Sequence, residues 1–366
     1  MAGASSVSPI FPKATSWARV MRATTMPQHP ENTTMDKPVG RRRFITIMAA
    51  FAGLPLLQGK AWAALPAEPV IWHGRALGAP ATLVLNHEDR AQAQALITRV
   101  VAEVRRLEDI FSLYRDDSAL SQLNRLGAFA APPRELVELL EISQRFHDLT
   151  AGRFEPAIQP LWALYARHFA KPDADPAGPS YGEVREALAL ADFAQVRIDR
   201  NRIAFSRRGM ALTLNGIAQG YVTDRVVGLL REAGVTSSLI DMGENRAIGS
   251  RADGQPWRIG LAEFEDAHDV DATLDITDRA VATSAGRGFQ FDAEGRFSHI
   301  LDPRSGATAQ RYARVSVVAP EASTADALST AFSLMAPDEI DAVAKQQASV
   351  DVHLKAADAA SPTVGN

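Results

Sequence analysis

The sequence predicts an α+β protein, with mixed sheets packed against helices. Three observations predict it. Strand-like segments come in consecutive runs, interleaved with only a few helical ones, which disfavours a strictly alternating parallel sheet. The helical segments repeat apolar residues at helical spacing. The chain of 366 residues is 46% hydrophobic and 22% charged, the balance of a globular protein with a sizeable core. At about 150 residues per domain, that length allows two domains or one large unit. There is no cysteine, which excludes a disulfide scaffold, a Cys-ligated metal and a thiol nucleophile.

The N-terminus reads as an address. Arg41-Arg42-Arg43 precedes an apolar run, Phe44 to Leu57, which is followed by Ala61-Trp62-Ala63. This is a charged region, a short apolar region and an A-x-A cleavage site, too short to span a bilayer. The paired arginines before Phe44-Ile45 give it a twin-arginine character, against an ordinary secretory signal as the alternative. The expected organisation is a leader over 1–63 cut near Ala63, a folded domain over 64–345, and a C-terminal tail over 346–366. The expected location is periplasmic, with no integral membrane span after cleavage. Residues 1–63 hold eight Lys and Arg and two Asp and Glu, leaving 31 basic against 41 acidic residues, net −10. An acidic body without a basic tract has no footprint for nucleic acid.

From Val70 to Leu85 the pattern is strand, turn, strand, with Gly74, Gly78 and Pro80 as punctuation. Ala91–Phe111 places Leu96, Val100, Val104, Leu107 and Phe111 on one helical face, and Glu135–Leu149 follows a Pro-Pro start. The Pro- and Gly-rich stretch 171–182 is a loop. Val196–Phe205, Gly209–Leu214, Val235–Asp241, Trp257–Leu261, Ala280–Ser284, Phe289–Phe291, Arg296–Leu301 and Val315–Val318 read as strands. Ile217–Glu232 and Thr324–Leu334 read as helices.

Three segments bear groups suited to chemistry. Leu214-Asn215-Gly216-Ile217-Ala218-Gln219-Gly220-Tyr221 runs from a strand end through a glycine into a helix. Such a junction is either an anion cradle or a plain turn. Asp326 and Thr330 stand four apart near a helix start. Their oxygens share a face that suits a hard cation such as Mg²⁺, or serve only as cap and surface groups. Ser298-His299-Ile300-Leu301-Asp302-Pro303-Arg304-Ser305-Gly306 brings a histidine to the lip of a turn, as a general base, a phosphate ligand or a satisfied edge residue. Tyr114 is placed to stack on a planar ring, and Gly152-Arg153-Phe154-Glu155-Pro156 either lines a pocket or packs in the core.

The order of these segments is more specific than any one of them. It adds Leu113-Tyr114-Arg115, Ser118-x-Leu120-Ser121-x-Leu123-Asn124, Met242-Gly243-Glu244, Ala280-Val281-Ala282-Thr283-Ser284 and Ala325-Asp326-Ala327-Leu328-Ser329-Thr330. Together these resemble the ApbE family of FAD:protein FMN transferases over about residues 70–345. The leader, Ala76-Leu77-Gly78-Ala79 and Met242-Gly243-Glu244 resemble its periplasmic NosX branch, which serves nitrous oxide reductase maturation.

The resemblance implies a flavin cleft between two subdomains, with FAD as donor. It implies Mg²⁺ held by Gly216, Asp326, Ser329 and Thr330, and His299 with Asp326 in the catalytic roles. Leu77, Tyr114, Arg153, Phe154, Glu155, Thr213, Gln219 and Ile300 would contact the flavin nucleotide. The implied partner is a membrane-bound flavin-accepting protein whose threonine faces the periplasm. FAD hydrolysis to FMN and AMP, or flavin carriage without turnover, are the alternatives. Thr213, Gln219, Glu155 and Leu77 stand where the family more often has aspartate, lysine, aspartate and methionine.

Overall fold

A computed structural model describes residues 68–262, 270–286 and 288–357. The expected leader and its cleavage site lie outside the described residues.

In chain order the elements are β1 (Val70–Ala76), β2 (Ala79–Leu85), α1 (Arg90–Phe111), α2 (Ala119–Leu126), β3 (Ala128–Ala130), α3 (Arg134–Leu149), α4 (Gln159–Phe169) and α5 (Tyr181–Leu188). Then come β4 (Val196–Ile198), β5 (Arg202–Phe205), α6 (Ala218–Glu232), β6 (Ser238–Asp241), β7 (Asn245–Ile248), β8 (Trp257–Ala262), β9 (Val270–Ile276) and β10 (Ala280–Ser284). β11 (Tyr312–Ala319), α7 (Ala322–Phe332), α8 (Pro337–Ala344) and β12 (Asp351–Ala356) complete the fold. The main sheet runs β1-β2-β6-β7-β10-β11-β12, and each of its pairs is antiparallel. A three-stranded sheet β3-β5-β4 and the ribbon β8-β9 are separate. The architecture is α+β, as the sequence predicts.

Strand alternation divides the main sheet into two faces. Leu83, Leu85, Ile240, Ala282, Val315 and Val317 bury one face against α1, α6 and α7, where Leu96, Val100, Val104, Leu107 and Phe111 form the expected apolar stripe of α1. Leu239, Ala247, Val281 and Val318 bury the other face against Trp257, Ile259, Leu261 and Ile276 of the ribbon. A third cluster joins α4 and α5 to the loop between β10 and β11 through Leu161, Tyr165, Val184, Phe291 and Phe297.

Several expectations need correction. Gly209–Leu214 is not a strand: the Asn124 side chain takes the place of a neighbouring strand, accepting from the Leu212 amide (2.7 Å) and donating to its carbonyl (2.8 Å). Phe289–Phe291 and Arg296–Leu301 contribute only isolated bridges, because the Asp292 carboxylate binds the Arg296 and Phe297 amides and curls the chain. The loop 171–182 ends early, since Ser180 and Glu183 form a capping box that starts α5. The segment 346–366 is not all tail, because Asp351–Ala356 pairs with β11 as the edge strand.

A close backbone approach lies where α6 meets α7. A Cβ on Gly220 would stand 2.4 Å from the Ala322 carbonyl oxygen. Gly220→Ala should therefore lower stability by about 1–3 kcal/mol, overpacking outweighing the roughly 1 kcal/mol of helix propensity that alanine brings. Denaturant unfolding checks this, and an alanine variant as stable as the parent would contradict it.

Asp241 sits on the ribbon side of the sheet, between Thr82 and Asn245 in the ladders. Burial pushes its carboxyl up to about 6 from an ordinary value of 3.8, against the Gly243 amide that favours the anion. A raised folded-state value means that stability is fully present below about pH 4 and is lost as pH rises through about 6. The melting temperature of Asp241→Asn relative to the parent should therefore rise between pH 4 and pH 7; a flat or falling difference would refute the assignment.

Candidate active site

Two antiparallel turns and a loop gather at one end of the main sheet. The β1–β2 turn, the β6–β7 turn and the long β10–β11 loop all leave from it, α6 begins beside it, and α7 reaches it with Ser329 and Thr330. Topology therefore brings Gly216 to Thr330, Asp326 to the first turn of α6, and Gln219 to Gly243 of the β6–β7 turn, from distant stretches of chain.

The centre of the site is the crossing of α6 and α7. Asp326, buried in α7, accepts from the Gly220 amide in the first turn of α6 (3.0 Å). That amide lacks an intrahelical acceptor, so the carboxylate also sits at the positive end of a helix. A Cβ on Gly216 would stand 2.9 Å from the Thr330 hydroxyl oxygen, so only glycine leaves that space open. The Ser329 hydroxyl bonds Ser284 of β10 (2.8 Å) and donates to the Asp326 carbonyl (3.0 Å). These donors are all hard oxygens, and with the open space at Gly216 they fit a magnesium ion completed by water and phosphate. The Ser329 carbonyl departs from the expectation, because it already accepts from both the amide and the hydroxyl of Ser333. Among the described residues no group of three or more His, Asp or Glu is arranged to hold a metal.

His299 is half-buried in the β10–β11 loop. Its Nδ1 lies 2.9 Å from the Phe289 carbonyl oxygen, which only accepts. The bond therefore places the proton on Nδ1 and leaves Nε2 of the neutral ring as the proton acceptor. Phe289 meets the His299 ring edge-on and stacks on Trp162. Ile300 is buried beneath the histidine, its amide bound to the Ser298 hydroxyl.

The 153–156 turn meets the α6 approach through the Thr213 amide, which donates to the Pro156 carbonyl (2.8 Å). Arg153 pairs with Asp302 (2.9 Å) and reaches Glu339 (3.5 Å), fastening the histidine loop to α8. Phe154 and Glu155 differ from the expectation that their side chains line a cleft. Phe154 is a core ring, edge-on to Phe146. Glu155 is buried, its oxygens accepting from the Ala157 and Phe193 amides, and desolvation raises its carboxyl value despite these amides and nearby His147.

Leu77 has positive φ in the β1–β2 turn, and its amide donates to Glu108 of α1 (2.6 Å). The Tyr114 ring is exposed just beyond α1. The Gln219 amide group lies over Gly243, where a Cβ would come within 2.2 Å of its nitrogen. A separate groove lined by Pro337, Ile340, Val350 and Leu354 shares none of these residues, and its rim of Asp338, Asp341 and Asp351 disfavours phosphate.

Sequence reading missed Asp224, which binds the start of α7 from α6. The available signal was its position four residues after Gly220, which puts both on one face of α6.

The ApbE family model matches residues 77–354. A Treponema pallidum protein named FAD:protein FMN transferase is 30% identical, over 73% of this chain and 79% of its own. A Vibrio cholerae protein of the same name is 29% identical, over 81% and 90%. The structure of the V. cholerae flavin transferase ApbE superposes with a TM-score of 0.68 at 27% identity, covering 79% of this chain and 94% of that one. The apo flavinyl transferase ApbE of Pseudomonas stutzeri gives 0.67 at 26%, covering 80% and 92%. With the match spanning most of the sheet, the α6–α7 crossing and the histidine loop, this chain belongs to the ApbE family.

Proposed function

We propose that this chain transfers FMN from FAD to a threonine hydroxyl of an acceptor protein and releases AMP. The observation that carries the reading is the oxygen cluster of Asp326, Thr330 and Gly216 at the α6–α7 crossing, in a chain whose relatives are named for this activity. Asp326, the Thr330 hydroxyl and the Gly216 carbonyl would hold Mg²⁺, with Ser329 keeping α7 against Ser284. Bound there, the ion supplies neutralisation of charge on the pyrophosphate.

The residues account for the remaining work. In the overall reaction the threonine oxygen bonds to the FMN-side phosphorus, the pyrophosphate P–O bond breaks, and AMP leaves with the bridging oxygen. His299 Nε2 takes the hydroxyl proton, its tautomer held by the Phe289 carbonyl. Tyr114 and Leu77 offer apolar surface to a planar ring, and Gln219 offers an amide beside it. Arg153 keeps the histidine loop seated by its pairs with Asp302 and Glu339.

The leader over 1–63 supports a periplasmic site of action, reached by the twin-arginine route. With Ala76-Leu77-Gly78-Ala79 and Met242-Gly243-Glu244 it supports a NosX-type role, flavinylating a membrane-bound subunit that serves nitrous oxide reductase.

The test mixes purified protein, FAD, Mg²⁺ and an acceptor domain bearing a flavinylation-type threonine, and reads intact mass with and without EDTA. The reading predicts an EDTA-sensitive gain of one FMN minus water, with equal AMP. It predicts that Asp326→Ala loses about 10²-fold or more of this activity. His299→Ala should lose about 10²–10⁴-fold while still binding FAD. AMP and free FMN with an unmodified acceptor would replace transfer by FAD hydrolysis, and bound FAD without AMP would make the chain a flavin carrier.

A further inference from the structure

The start of α7 is held by a residue outside the oxygen cluster. Its N-cap residue, Glu321, makes no side-chain capping bond. Asp224 of α6 supplies the cap from a different helix. One carboxylate oxygen accepts from the Ala322 amide (2.8 Å), and the other accepts from the Ser323 amide (2.9 Å) and hydroxyl (2.7 Å). Arg246 of β7, itself buried, donates to the first of these oxygens from the opposite side. The carboxylate is largely enclosed, at 17% exposure, so these charge-assisted bonds are little screened.

The arrangement is reciprocal. Asp326 reaches from α7 to the first-turn Gly220 amide of α6, and Asp224 reaches from α6 to the first-turn amides of α7. Each helix start is closed by a carboxylate of the other. Asp326 lies four residues beyond Ala322, about 6 Å along the α7 axis, so a tilt of the first turn is carried directly to its carboxylate.

We infer that Asp224 is a positioning residue, braced by Arg246, that sets the orientation of the α7 first turn and so the spacing between Asp326, Thr330 and Gly216. The inference rests on the reading of that cluster as the Mg²⁺ site. Asparagine at 224 keeps one acceptor oxygen but turns an amino group toward a backbone N–H and leaves Arg246 without its anion.

The test compares the parent with Asp224→Asn, Ser323→Ala, Asp224→Asn combined with Arg246→Gln, and Asp326→Ala. Mg²⁺ is titrated into FAD-loaded protein by calorimetry and in the transfer assay, and hydrogen exchange is followed at residues 322–325. Asp224→Asn should raise half-saturating Mg²⁺ by about 10–100-fold, with the rate at saturating Mg²⁺ little changed. Ser323→Ala should shift it less, in the same direction, and the double variant should stay as weak as Asp224→Asn. Exchange at 322–325 should quicken in Asp224→Asn with or without metal. Half-saturation equal to the parent's overturns the inference. So does recovery in the double variant, because the loss then belongs to a stranded arginine. If the parent and Asp326→Ala are both indifferent to EDTA, the Mg²⁺ reading itself has failed. Unchanged exchange at 322–325 overturns the clamp in either case.

Discussion

At Gly220 the backbones of α6 and α7 come so close that a side chain there would separate them, and the two helix starts exchange carboxylates across the contact. Asp326 closes one and Asp224 the other. Each bond satisfies amides that a helix start leaves without partners, and each brings a negative group to a positive helix end. The Asp326–Gly220 bond sets Thr330 against Gly216, because each lies four residues from one partner of that bond. The oxygen cluster is thus a consequence of how two helices pack, together with the turn that leads into α6.

The sheet gives that crossing its surroundings. Ser284 ends β10 and bonds Ser329, so the strand that precedes the histidine loop is tied to the helix that carries Asp326. The loop is anchored a second time by Arg153 and Asp302, and a third time by Arg304, which donates to the Ala151 carbonyl (3.0 Å). Glu244, buried in the β6–β7 turn, accepts from the Thr283 amide (3.3 Å) and closes that turn against β10. The candidate site is thereby held on a framework of antiparallel strands whose opposite face is sealed by the β8–β9 ribbon.

Local pattern revealed what depends on local chemistry. The α1 stripe, the Asp326–Thr330 spacing and the glycine at 216 were legible because each signal spans one or two helical turns. Gly209–Leu214 misled because the amide of Asn124 stands in for a strand, and no periodicity reports a partner 88 residues away. Phe154 and Glu155 misled in the other direction: a motif-bearing turn suggested a lining, whereas the core claims the ring and backbone amides claim the carboxylate. Asp224 carries no local signal beyond its place on the α6 helix. Its meaning appears only when α7 is laid across it.

The proposed function depends on the α6–α7 crossing offering an oxygen site to a divalent ion beside the FAD pyrophosphate. Anomalous diffraction from crystals of the protein grown with FAD and Mn²⁺ tests this most directly. The predicted result is a manganese peak bounded by the Asp326 carboxylate, the Thr330 hydroxyl and the Gly216 carbonyl, and touching the pyrophosphate. A bound FAD with manganese elsewhere, or with none at the crossing, would contradict it.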